Sequence, residues 1–121
     1  HGALGLPLVF LSGDEEACRE AEELIPGIRT AAVKRSLSRN SAISLFPAKA
    51  HELIRAGVAE AIRRQRENPL PPLVWPGPFV LEKRFFHTDI ADAAADAPGA
   101  ERVDGQTVRL RGDDIRDLIY R

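Results

Sequence analysis

An α/β fold is predicted for this 121-residue chain: a partial βαβ layered sheet followed by a small α+β module of strand, helix, hairpin and helix. Three stretches carry that expectation. Leu6 to Leu11 is a near-continuous apolar run broken only by Pro7, the pattern of a strand buried on both faces of a parallel sheet. From Pro47 onward apolar residues recur at the spacing of one helical face. Glu101-Arg102-Val103 and Thr107 to Leu110 flank Asp104-Gly105, a strong two-residue hairpin signal.

The first strand runs into Ser12-Gly13-Asp14, read as a turn, and then into a helix over about Asp14 to Leu24. Ser12 and Glu15 fit a capping box, while Glu15 and Glu16 complement the positive end of the helix. Ile25-Pro26-Gly27 stops it, and Ile28 to Lys34 is a second, less hydrophobic strand that completes a right-handed βαβ unit. Arg35 to Leu45 has no clean period and is rich in Ser, Asn and Arg, so a loop across the sheet edge is expected.

The helix opened by Pro47 is the firmest element, with Ala50, Leu53, Ile54, Gly57, Val58, Ala61 and Ile62 on its apolar face. Gly57 on that face predicts close packing against a neighbour, since glycine inside a helix otherwise costs about 1 kcal/mol. The organisation expected is thus an α/β part over 1–67, a connector over 68–78 with five of the nine prolines, and an α+β module over 79–121. Trp75 is expected as a packed anchor within the connector. Beyond it, PFVLEKRFF alternates like a half-exposed antiparallel strand, Thr88 or Asp89 caps a short helix, and Ile115, Leu118 and Ile119 face inward from a last helix.

Composition narrows the function. At 44% hydrophobic and 29% charged, with no apolar run near the roughly 20 residues a bilayer requires, the chain is predicted globular and not membrane-spanning. A formal net charge of −1 with both signs interspersed gives no nucleic-acid footprint. One cysteine cannot form an internal disulfide; Cys18 is expected as a small core residue, which suits a reducing, cytoplasmic setting. The chain opens on His1 and has no methionine, so residues ahead of it are expected.

Catalytic sets are missing from the pattern. His1, His51 and His87 lack metal-type spacing, and HExxH, CxxC, GxSxG and a Gly-rich phosphate loop are absent. Two readings stay open for the remaining polar residues: Asp14 stands where open α/β sheets place ligands or, with Gly13, forms an N-cap and turn, and Lys34, Arg39 and Asn40 suit an anionic or peptide-like ligand or a solvated loop.

Three blocks supply a further reading: GLPLVFLSGDEEACREAEELIPGIRTAAVKRSLSRNSA, then PGPFVLEKRF, then DIADAAADAPGAERVDGQTVRL ahead of DDIRDLIYR. In order and spacing they resemble the C-terminal part of the zinc-dependent D-aminopeptidases of the dipeptide-transport operon. The distinctive features are an apolar G-L-P-L-V strand entering S-G-D, a V-K segment with Arg and Ala downstream, and the closing P-G-A-E-R-V-D-G-Q-T-V-R hairpin.

The resemblance implies metal-assisted hydrolysis of N-terminal D-amino acids from short peptides, two zinc ions per subunit, and homodecameric rings. Its zinc ligands and catalytic histidine match no position here and are expected upstream of His1. No metal ligand and no catalytic residue is therefore assigned; Asp14, Lys34, Arg39 and Asn40 are assigned to substrate binding. The alternative is a non-catalytic interaction or assembly module.

Overall fold

The computed structural model describes residues 1–119. The chain forms two compact units, His1–Val74 and Trp75–Arg121, meeting inside the proline-rich stretch. In the first unit, strands β1 (Phe10–Asp14), β2 (Arg29–Ser38) and β3 (Ser41–Ser44) form a sheet in that order, with β1 parallel to β2 and β3 antiparallel to it. Helix α1 (Glu15–Leu24) completes the expected βαβ unit, and α2 (Pro47–Glu67) follows β3.

The two helices cover opposite faces. Leu11 packs with the buried Ala21, Ile25 and Ile28 on the α1 side, whereas the Phe10 ring meets Gly57 of α2. Neighbouring strand residues point to opposite faces, so the layers run helix, sheet, helix. A Cβ on Gly57 would sit 2.5 Å from Phe10 Cε2, so glycine alone allows α2 this close, as its place in the sequence predicts. Of the predicted apolar face, Ala61 is buried and Ala50, Ile54 and Gly57 are partly covered, but Leu53, Val58 and Ile62 are more than a third exposed.

β1 begins four residues later than its apolar run. Its parallel partner starts only at Arg29, after Pro26-Gly27, so the ladder opens with the Arg29 N–H on the Val9 carbonyl, and Leu6 to Leu8 run ahead of it. At the other end Ser12-Gly13-Asp14 belongs to the strand and is not a turn, because β2 continues far enough to pair Asp14 with Lys34. The helix cap is accordingly Asp14, whose Oδ1 accepts from the Glu16 N–H at 3.0 Å, and not Ser12.

The stretch from Arg35 to Leu45 is a second correction. It forms the outer half of β2, a two-residue turn at Arg39-Asn40, and β3. The register shifts between Ser36 and Ser38, and every residue from Arg35 to Ser44 is exposed. The turn contains no positive φ and no glycine, so the usual Asn-Gly signal for a primed hairpin turn is missing.

The second unit is an antiparallel sheet in the order β4-β6-β5, built from β4 (Phe79–Arg84), β5 (Glu101–Arg102) and β6 (Thr107–Gly112), with α3 (Thr88–Ala95) and α4 (Ile115–Leu118). Burial alternates strictly along β4 as its sequence predicts, and the hairpin bends at the predicted Asp104-Gly105. Val108 and Leu110 of β6 are buried on one face; Gly112 on that face meets Leu118. The opposite face carries the Glu82–Arg109–Glu101 ion pairs.

Three further expectations fail here for local reasons. His87, and neither Thr88 nor Asp89, occupies the α3 cap position, with no side-chain cap bond. α4 is a single turn capped by Asp114, so it buries Leu118 and half-buries Ile115 but leaves Ile119 55% exposed. Trp75 is 54% exposed: in the extended proline-rich stretch Leu70 and Leu73 take the positions packed on the core.

Candidate functional site

The carboxyl end of β1 builds the site. There α1 departs, β2 runs on beyond its parallel partner, and β3 folds back on β2, leaving a cleft of about 210 Å³ lined by Glu15, Lys34, Arg35, Ile43 and Leu45 among others. Ends of parallel strands are where open α/β sheets hold ligands.

Asp14, one residue ahead of the cleft-lining Glu15, does not line the cleft itself but ties its strands together. Its Oδ1 accepts from the Glu16 N–H at 3.0 Å, and its Oδ2 from the Ser36 N–H at 2.9 Å and the Ser36 hydroxyl at 2.5 Å. These bonds, the Ser36 hydroxyl first, hold the carboxyl below its ordinary value of 3.8, with the Lys34 charge adding in the same direction. One residue thus caps α1 and brackets β1 to the outer half of β2.

Lys34 is the register partner of Asp14 and lines the cleft. Arg39 and Asn40 stand elsewhere, at the tip of the exposed β2–β3 hairpin. Arg39 lies five residues beyond Lys34, about 16 Å at the usual rise per residue. The structure therefore brings Asp14 and Lys34 together and sets Arg39 and Asn40 apart. Glu15 and Arg35 also line the cleft, and Ser36 holds Asp14, none of the three having been singled out individually in the sequence. Reading Arg35 to Leu45 as a loop hid the strand pairing that places Arg35 and Ser36, and Glu15 was read only as a helix-start residue, although the strand-end rule already pointed to the right corner of the sheet.

Among the described residues no group of three or more His, Cys, Asp or Glu stands close enough to hold a metal ion. Asp14 is committed to three hydrogen bonds, His51 is exposed on α2, and Cys18 is buried with its thiol pushed up by desolvation and by Glu22. These residues do not fit a zinc site.

A second cleft, of about 320 Å³, lies between the start of the β1–β2 ladder and the C-terminal turns of α2, and includes Val9, Arg29 and Asn68. Among the described residues no helix is long and apolar enough to cross a membrane.

A helix–sheet–helix unit whose cleft opens at a parallel strand's carboxyl end is an α/β binding architecture, and comparison with known proteins makes its kind specific. The family model for D-aminopeptidases of the M55 peptidase class matches residues 1–120, and the chain belongs to that family. It is 39% identical over 115 residues to the D-aminopeptidase of Bacillus subtilis strain 168, covering 94% of this chain and 41% of that protein.

Among solved structures it is similar to the Zn-dependent D-aminopeptidase DppA from Bacillus subtilis, a self-compartmentalizing protease. The TM-score is 0.82 at 36% identity, over 94% of this chain and 41% of that one. The chain thus spans about two fifths of the length of the relatives it matches.

Proposed function

We propose that this chain is the substrate-wall and scaffold part of a zinc-dependent D-aminopeptidase that removes N-terminal D-amino acids from short peptides, with the zinc ligands on polypeptide outside these 121 residues. One pair of observations carries the proposal. The family match runs through nearly the whole chain, yet no donor set for a metal exists among the described residues.

When bound, zinc would polarise the scissile carbonyl. The residues of this chain have other work. Lys34 offers an ammonium for the peptide carboxylate at the cleft, and the Asp14–Ser36 bracket fixes the strand that carries it. Ile43 and Leu45 give the same cleft an apolar wall for a side chain. Arg39 and Asn40 belong to the same reading as contacts for a more distant part of the peptide. Two zinc ions per subunit, association into decameric rings and a cytoplasmic location complete the proposal; the self-compartmentalizing relative supports association of copies.

The test is a chimera in which this chain replaces the matching segment of the Bacillus subtilis enzyme. It is expected to release D-alanine, and not L-alanine, from the corresponding alanine dipeptides, while the 121-residue chain alone releases neither. Lys34→Gln in the chimera should raise KM about tenfold with kcat kept, the mark of a lost binding contact to a charged group. Hydrolysis by the 121-residue chain on its own would overturn the proposal.

A further inference from the structure

β1 combines the sequence of an interior strand with the position of an edge strand. The run from Leu6 to Leu11 is apolar without alternation, as in strands that have neighbours on both sides and helices on both faces. The helices are there, α1 on one face and α2 on the other. The second neighbour is not: β1 pairs with β2 alone among the described residues, at the end of the order β1-β2-β3.

The exposure follows that edge. Leu6 is 50% exposed, Leu8 to Leu11 are only partly covered, and Ser12 is open. Natural edge strands are guarded by charges, prolines, bulges or short length; here Pro7 stands ahead of the five-residue β1 and a register shift marks its Gly13–Asp14 end, but no charged residue occurs between Gly2 and Gly13, and Leu8 to Ser12 carry none of these guards. On the same unit Leu53, Val58 and Ile62 of α2 are also more than a third exposed.

The backbone makes the open edge specific. Because the Arg29 N–H bonds the Val9 carbonyl, and Phe10 and Ser12 are the register partners of Arg29 and Ala31, the groups of Val9, Leu11 and Gly13 face β2. The pleat turns the N–H and C=O of Leu8, Phe10 and Ser12 to the other side.

We infer that this edge receives a parallel β-strand, apolar on both faces, from polypeptide outside residues 1–121. β1 thereby becomes an interior strand of a larger sheet. The inference rests on the proposal that the chain works within a longer protein; its matched relatives, of which it covers 41%, have chain length to supply such a strand. The bare edge argues for an occupant that is always present, since an unguarded apolar edge in a free protein invites aggregation. It also gives the docking a direction, with the new strand lying beside Leu8, Phe10 and Ser12.

Site-resolved amide hydrogen exchange on the 121-residue chain and on the chimera tests this. In the chain alone, Leu11 and Gly13 should exchange slowly and Phe10 and Ser12 fast. In the chimera Phe10 and Ser12 should slow by on the order of 100-fold, joining the other two. Ser12→Pro, which deletes an N–H only on the open edge, should leave the melting temperature of the 121-residue chain within a few degrees and prevent assembly of the chimera.

A chimera that hydrolyses peptides while Phe10 and Ser12 still exchange fast overturns the inference and spares the functional reading. An inactive chimera in which both amides slow supports the inference and counts against the functional reading alone. Slow exchange at both amides in a 121-residue chain that runs as a dimer would overturn the inference in favour of a second copy on the same edge.

Discussion

β6 and β1 each anchor the sheet of their own unit, and they differ in how much of their surroundings this chain supplies. β6 lies between β4 and β5, and its Val108 and Leu110 are 1% and 5% exposed. β1 lies at an edge, and none of its residues is buried, although its approach is more apolar than any stretch of β6. The contrast shows that side-chain pattern records the environment a strand is built for, while burial records the neighbours it has. In β6 the two agree. In β1 they part, and the gap has the shape of one further strand.

Substitutions should separate the two strands. The largest effect is expected at the completed strand: Leu110→Ala should cost about 2–5 kcal/mol, the range for emptying a buried leucine site, read as a fall in the denaturant midpoint at constant slope. Next comes the seam beneath β1. Gly57→Ala should cost about 1–3 kcal/mol, because the added methyl drives into the Phe10 ring, and Phe10→Leu in the same background should recover part of it. A Gly57→Ala variant at least as stable as the parent would show that α2 is free to move off the sheet.

Leu8→Ala should be milder in this chain, at or below about 1 kcal/mol, since its side chain is only partly covered. In the chimera the same change should reach the cost seen at Leu110. Equal small costs in both proteins would mean that nothing further covers β1.

The smallest effect is a pH dependence at the strand ends. Asp14 at the end of β1 and Asp114 just after β6 both titrate below the ordinary 3.8, Asp14 through Ser36 and Asp114 at about 2 through Arg116. Their stabilisation is full above the ordinary value and is lost as pH falls through the lowered one. The melting-temperature gaps between the parent and Asp14→Asn or Asp114→Asn should therefore hold steady above pH 4 and close towards pH 2. A gap that widens on acidification would reverse the assignment of these carboxylates as ionised hydrogen-bond acceptors.

Legibility in the sequence follows the same logic. α2, the Asp104-Gly105 hairpin and the βαβ order rest on local signals, such as helical period, turn chemistry and a Pro-Gly stop, and each could be read directly. What failed depended on partners. The start of β1 is set by where β2 begins, and the Arg39-Asn40 hairpin closes without the glycine that would have marked it.

At the site, the corner holding Asp14 was legible because strand ends and helix starts are local. The role of Asp14 was not, since its Ser36 partner lies 22 residues away on a strand read as a loop. Lys34 emerges beside Asp14 only through the β1–β2 register.

In the proposed division of labour the chain lends scaffold and substrate wall while its family's metal is held elsewhere. The measurement that meets it most directly is zinc content by elemental analysis after equilibrium dialysis, for the 121-residue chain and for the chimera side by side. The expected result is no tightly bound zinc on the chain and about two ions per subunit in the chimera. Stoichiometric zinc on the 121-residue chain alone would contradict the account.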